Sequence, residues 1–260
     1  MGDAGGGDGG DGGDHFHVSD AVIRAVPFKR TGVRPAPLAD NDRLAARNRS
    51  LFDAAGVLVV NLMSAPGAGK TSLLEATIGA LQGRLTVAVI EGDPATDNDA
   101  RRIRAAGAEA VQITTGDASH LDAAMVHAAL LGLDLPAIDV LFIENVGNLV
   151  CPARYELGQH RNVVLLSVTE GDDKPQKYPV MFRVADLMTV TKTDLLHAVG
   201  DFDPVLAARH LRALASAAPV VELSARNGAG MDAWIGWLAG QRAQAGAAGF
   251  THRSARTPLP

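Results

Sequence analysis

Cysteine is nearly absent: Cys151 is the only one in 260 residues. An intramolecular disulfide is therefore excluded, and the thiol is left as an inert core residue, a nucleophile or a metal ligand. Aromatic residues make up only 4% against 47% hydrophobic residues overall, so the core must be aliphatic. An excess of positive charge is also lacking. The formal net charge is −5 with no long basic stretch, which argues against non-specific binding to nucleic acid or to an anionic membrane. No apolar run reaches the roughly 20 residues that a spanning helix needs. The first residues are rich in Gly and Asp rather than basic and then apolar, so no secretory signal is expected. Together with the lone thiol this points to a cytoplasmic protein.

What is present is a long alternation of strand and helix signals. Before it comes MGDAGGGDGGDGGDHFH (Met1 to His17), whose glycines and aspartates bury too little surface to offset backbone ordering. Residues 18–38 add prolines without periodicity, so 1–38 reads as a disordered arm. DNDRLAARNRSLFDAAG (40–56) has helical spacing at Leu44, Leu51 and Phe52, with Asp40 or Asn41 as cap and Gly56 as stop. VLVVNLM (57–63) is a nearly continuous apolar run, as expected of a strand buried on both faces. Helix and strand patterns then alternate. Strands are expected in 84–93, 109–115, 138–147, 162–172, 185–196 and 219–225. Helices are expected over 71–82, 97–107, 119–132, 203–218 and 231–240. Such βαβ alternation predicts an α/β fold with a mostly parallel central sheet and helices on both faces. The domain is assigned to 39–241, followed by a flexible Ala/Gly-, Arg- and Pro-rich tail over 242–260. There are no internal repeats.

The densest chemical signal is SAPGAGKTS (64–72). It matches the phosphate-loop pattern G-x-x-x-x-G-K-[ST] at Gly69, Lys70 and Thr71, with Ser64 in place of the first glycine. The context is right: a strand precedes it and a helix follows, which makes this a P-loop NTPase. The stretch Pro66, Gly67, Ala68 and Gly69 turns backbone N–H groups inward toward phosphate oxygens, and the helix start at Lys70, Thr71 and Ser72 adds partial positive charge. Lys70 is placed on the terminal phosphates, and Thr71 offers its hydroxyl to Mg²⁺. Two later strands end in acids, Asp93 and Glu144. In a parallel sheet the carboxyl ends of strands meet at the ligand crevice, so both acids are assigned to the phosphates and Mg²⁺. Gly147 is positioned for its N–H to touch the γ-phosphate.

The base is indicated by TKTD (191–194), which resembles the guanine motif N-K-x-D with Thr191 in place of asparagine. Asp194 can accept from both N1–H and N2–H₂ of guanine. Adenine would leave that buried carboxylate unpaired, a strong form of discrimination. Lys192 lays its stem over the purine face. Ser224 and Ala225, after the last strand, stand where a backbone N–H would meet the guanine O6. These residues in this order predict GTP as the nucleotide.

The segments VIEGDPATDNDARRI (89–103), IENVGNLVCPA (143–153) and SVTEGDDKPQKYPVMF (167–182) resemble the HypB family of hydrogenase nickel incorporation proteins. The resemblance runs from Ala39 to Leu238. It implies a dimerising GTPase of the metallochaperone branch of P-loop proteins. Such a protein assists nickel insertion into the large subunit of [NiFe] hydrogenase, with a HypA-type nickel chaperone as partner. The urease accessory GTPases are cousins, but their Cys-Pro-His motif is absent. The family's metal site uses a Cys-His pair and a second cysteine. The matching positions here are Ser119-His120 and Cys151, which leaves two ligands per chain. Two chains about a two-fold axis would supply Cys₂His₂, a set suited to Ni²⁺ or Zn²⁺. Histidine-rich N-termini store nickel in some members; here that region has only His15 and His17, so storage is expected to be weak or absent.

The resulting expectation is Mg²⁺-dependent, slow hydrolysis of GTP, with Lys70, Asp93 and Glu144 as the catalytic set. GTP would close the homodimer and assemble a Ni²⁺ or Zn²⁺ site from Cys151 and His120. The rival readings are a GTP-dependent scaffold that recruits maturation partners without moving metal, a urease-type accessory GTPase, and a small-molecule kinase. NLVCPA and DDKPQKYP argue against the second, and TKTD with Ser224-Ala225 against the third.

Overall fold

The computed structural model describes residues 38–214 and 216–248, the last three as backbone only. The arm expected before residue 38, with His15 and His17, lies outside these residues, as does the tail beyond 248. Seven strands form one sheet: β1 (Leu58–Ser64), β2 (Val87–Asp93), β3 (Glu109–Thr114), β4 (Val140–Glu144), β5 (Arg161–Ser167), β6 (Leu187–Thr191) and β7 (Val220–Glu222). Their order is β3-β2-β4-β1-β5-β6-β7, and all six pairings are parallel. The apolar runs explain this: β1 is buried at every position, as a central parallel strand covered on both faces must be.

Successive residues of each strand point to opposite faces, so the core divides in two. On one face Leu58, Val60 and Leu62 of β1 pack with α2 (Lys70–Leu81), α3 (Asn98–Ala105) and α9 (Met231–Ala248). Met231, Trp234 and Leu238, spaced for one helix face, are buried there, and the Trp234 indole donates to Thr77 Oγ1 at 2.8 Å. On the other face Val57 and Val59 pack with α1 (Leu38–Ala55) and α4 (Ala123–Ala129). Met63 on that same face belongs to a third apolar cluster, with α6 (Pro179–Arg183) and α8 (Pro204–Ala213). Short helices α5 (Lys174–Lys177) and α7 (Leu196–Val199) complete the chain. Among the described residues no helix is long and apolar enough to cross a membrane.

Several boundaries differ from the sequence expectation: the strand expected over 185–196 ends at Thr191 and passes into a 3₁₀ turn and α7, the strand expected over 162–172 ends at Ser167, and the helix expected over 203–218 ends at Ala213. Three further differences have a visible cause or bear on the site. First, α1 begins at Leu38, so Asp40 and Asn41 lie inside its first turn rather than capping it. Asn41 is buried and turns inward, donating to the Glu156 carbonyl and accepting from the Ala123 N–H, both at 2.9 Å. Second, the helix expected from Ser119 starts only at Ala123, because Asp122 caps it by accepting from Met125 N–H at 2.9 Å. His120 therefore sits in the loop after β3, which is an edge strand of the sheet. Third, the helix expected to stop at Gly240 continues to Ala248, through a stretch rich in the good helix formers Ala, Gln and Arg.

Candidate functional site

The carboxyl ends of β1, β4, β5 and β6 meet at the phosphate loop. Gly69 has φ 97°, a left-handed conformation open to glycine, and it launches α2 directly. Lys70 is buried and donates from Nζ to Ser64 Oγ at 3.1 Å. The residue that replaces the first glycine of the motif thus holds the lysine in place. Gly147 packs on the loop from the β4 side. A Cβ there would come within 2.9 Å of Pro66 Cα, so only glycine permits this approach.

The base-side residues also converge. Lys192 adopts φ 60° and reaches back across the loop to donate to the Gly67 carbonyl at 2.6 Å. Thr191 donates its hydroxyl to the Ala68 carbonyl at 2.7 Å. Asp194 accepts from Ser224 Oγ at 2.6 Å, which fixes the carboxylate beside the turn that contains Ala225. Ser72 sits on the outer side of α2, where Arg102 of α3 donates to its hydroxyl at 3.2 Å.

The acidic side of the site holds a residue the sequence reading passed over. Glu144 accepts from Thr71 Oγ1 at 2.8 Å, and its strand partner in β2 is Glu91. Oxygens of Glu91, Asp99 and Glu144 all lie within 4.8 Å of one another. Glu91 and Glu144 are 2% and 3% exposed, and among the described residues the Oε2 of each has no hydrogen-bond partner. Burial, then the charge of Glu144, pushes the Glu91 carboxyl up to about 9. Burial raises Glu144 to about 7, against the pull of Lys70 and Thr71. Two buried acids in this state are poised to exchange protons for a cation. The donors are all oxygen, which suits a hard divalent ion.

Asp93 does not join them. Its Oδ1 accepts from the Ala95 and Thr96 N–H groups at 2.8 and 2.6 Å, holding the loop that leads into α3. The signal for Glu91 was its parity: residues 91 and 93 share a face of β2, and the deeper one pairs with Glu144. Asp99, in the first turn of α3, carried no signal beyond its charge.

The family of CobW/HypB/UreG nucleotide-binding domains matches residues 58–222, from the first residue of β1 to the last of β7. The chain belongs to the CobW/HypB/UreG family. Hydrogenase maturation factor HypB of Azotobacter vinelandii is 54% identical over 205 residues, spanning 79% of this chain and 67% of that protein. A crystal structure of HypB from Helicobacter pylori in complex with nickel superposes with a TM-score of 0.77 at 37% identity, over 84% of this chain and 100% of that one. HypB from Archaeoglobus fulgidus gives 0.73 at 39% identity, over 78% and 99% of the two chains.

In this member of the CobW/HypB/UreG family, the segment leaving β4 carries Glu144, Gly147 and Cys151 in eight residues. Cys151 is half-buried, and its N–H donates to Asn148 Oδ1 at 3.1 Å, just before a short 3₁₀ turn over Pro152–Arg154. The His120 ring stacks on Tyr155, centroids 3.9 Å apart, four residues beyond Cys151. Both sequence-assigned metal ligands therefore border one segment. Among the described residues the three-ligand acidic cluster is the only group of three or more potential metal ligands, and it contains neither of them.

Proposed function

We propose that this protein is a cytoplasmic, Mg²⁺-dependent GTPase whose nucleotide state controls a nickel site at Cys151 and His120 during [NiFe] hydrogenase maturation. The observation that carries the reading is the short segment from Glu144 through Gly147 to Cys151. Gly147 rests on the phosphate loop, and Cys151 lies only four residues further on. A change at the γ-phosphate therefore has a short path to the thiol. The likeness to HypB, including the Helicobacter pylori protein solved with nickel, supports the choice of cargo.

In this reading Lys70 and the loop N–H groups neutralise charge on the phosphate oxygens of GTP. Asp194, held by Ser224, accepts from guanine, and Lys192 covers its face. Thr71 and Glu144, with Glu91 and Asp99 beside them, hold the cation side. Mg²⁺, when bound there, supplies charge neutralisation on the β- and γ-phosphate oxygens. Asp93 Oδ1 keeps the 93–97 loop in shape at the edge of the site. Without a named arginine finger, turnover is slow, which suits a switch.

Two ligands per chain call for a second copy, so the nickel site is assembled in the GTP-bound homodimer, with Zn²⁺ as a competing occupant. Delivery then runs between a HypA-type nickel chaperone and the hydrogenase large-subunit complex. The test is nickel titration with GDP and with a non-hydrolysable GTP analogue, for wild type and Cys151→Ala. Tighter binding in the GTP-analogue state, lost in the variant, is expected. Affinities that depend on neither nucleotide nor Cys151 would sink the reading.

A further inference from the structure

A chain of buried side-chain amides runs from the segment leaving β4, across β1 and β5, to Glu156, five residues beyond Cys151. It begins at Asn145, the residue after Glu144, which is 1% exposed. Asn145 Nδ2 donates to Asn61 Oδ1 at 3.2 Å, and Asn61 Nδ2 donates to Asn162 Oδ1 at 3.0 Å. Gln159 Nε2 then bridges Asn162 Oδ1 and Glu156 Oε2, both at 3.0 Å. Asn61 interrupts the apolar positions of β1 exactly where the two apolar clusters of that face meet, between Val59 and Met63. Burying a series of amides is costly unless each finds partners, so such a network specifies one arrangement rather than merely filling space.

The other end of Asn145 faces the His120 loop. Its Oδ1 accepts from the Leu121 N–H and from the Val146 N–H, each at 3.0 Å. One carboxamide oxygen thus serves both the segment leaving β4 and the residue after His120. Leu121 has little freedom of its own. It is fully buried, and its side chain occupies the space over Gly92, where a Cβ would lie 2.8 Å from it. If the Glu144–Gly147 segment shifts, either Leu121 follows or a buried N–H loses its acceptor.

We propose that Asn145 is a positioning residue that relays the nucleotide state from Glu144 and Gly147 to His120 through the Leu121 N–H. The inference rests on the proposed function, and it identifies the side chain that makes the nickel site respond to GTP. Asn145 touches neither phosphate nor nickel in this scheme. It acts by holding two chain segments in one register, the kind of bistable contact that coupling between sites requires.

The test measures the ratio of nickel dissociation constants in the GDP and GTP-analogue states, by competition with a chromophoric chelator, on the full chain. Coupled sites typically differ by about 5- to 150-fold, and Asn145→Ala is expected to bring the ratio to within about twofold of unity while GTP binding persists. Asn61→Ala breaks the amide chain but leaves the Leu121 bond, and is expected to keep the wild-type ratio. A wild-type ratio in Asn145→Ala, or equal loss in both variants, overturns the relay. A wild-type protein with no ratio at all overturns the proposed function itself, before any variant is compared. Amide hydrogen exchange at Leu121 in wild type gives a readout independent of variant folding. Its protection is expected to differ between the two nucleotide states, and identical protection would overturn the relay.

Discussion

Thr191 Oγ1 lies 2.7 Å from the Ala68 carbonyl and donates to it, tying the end of β6 to the phosphate loop. The guanine motif places an asparagine at this position, and threonine has no side-chain amide with which to brace the loop. The hydroxyl makes the brace instead, because β6 ends close enough for a short side chain to reach. The TKTD turn and the phosphate loop are therefore tied together at two points, the second being Lys192 on the Gly67 carbonyl.

Thr191→Val keeps the shape and removes the hydrogen bond. The buried Ala68 carbonyl loses a partner, which costs about 1–3 kcal/mol. GTP affinity is expected to fall by roughly 5- to 150-fold on that scale, with GDP affected equally, because the loop rather than the γ-phosphate is disturbed. Titration with fluorescent GTP and GDP checks this. Selective loss of GTP alone would contradict the brace.

Gly147→Ala tests the contact between the β4 segment and the loop. The added methyl meets backbone and ring atoms of Pro66 at 2.9 to 3.1 Å, and the backbone cannot yield as a flexible side chain would. The segment must back away from the loop. GDP binding and the fold are expected to persist, while the rate of GTP hydrolysis falls at least about tenfold, equivalent to about 1.4 kcal/mol of lost positioning. Single-turnover phosphate release measures it; an unchanged rate would mean that Gly147 does not face the reacting phosphate.

Much of this was legible before any coordinates. All seven strands lie where apolar runs end in turns or acids, and the phosphate loop carries its own context of strand and helix. What escaped depends on register. Nothing in VIEGD says which acid sits beside Glu144, since that follows from the pairing of Glu91 with Glu144 across two strands far apart in sequence. His120 was placed on a helix because SHLDAAMVHAALLG is apolar at helical spacing. The cap at Asp122, a local hydrogen bond to Met125, decided the start instead. Asn61 is the one polar residue in VLVVNLM, but its two amide partners, Asn145 and Asn162, come from the segment after β4 and from β5.

Asp194→Asn exchanges an acceptor for a donor at the base. Guanine presents two N–H donors there, and the new amide can accept from only one while its NH₂ faces the other. A charge-assisted hydrogen bond is worth about 1.5–3 kcal/mol, so GTP affinity is expected to fall about 10- to 150-fold. Xanthine carries a carbonyl where guanine has its amino group, and affinity for its triphosphate is expected to rise. Competition between the two nucleotides for the variant reports the exchange. A variant that keeps its preference for GTP would remove Asp194 from base recognition.

The acid pair gives a pH dependence with a definite sign. In the absence of nucleotide and cation, Glu91 is raised from 4.5 to about 9 and Glu144 from 4.5 to about 7, both chiefly by burial. Between those values the folded chain holds protons that the unfolded chain has released. Stability is therefore full below about pH 4.5 for these two groups and declines as pH rises, by up to about 1.4 kcal/mol per unit for each. Both contribute up to pH 7, and Glu91 alone from 7 to 9. His160 acts in the opposite direction: burial lowers it from 6.5 to about 2, so its contribution is lost as pH falls below 6.5. Comparing wild type with Glu91→Gln cancels that shared contribution. The variant is expected to melt higher than wild type at pH 9, to converge with it near pH 5, and to gain less from added Mg²⁺. In wild type, Mg²⁺ must displace the Glu91 proton, so its affinity rises from pH 6 to pH 9. Thermal melts at pH 5, 7 and 9, with and without Mg²⁺, decide the matter; parallel curves for the two proteins would show that Glu91 is neither the buried acid nor the cation's neighbour.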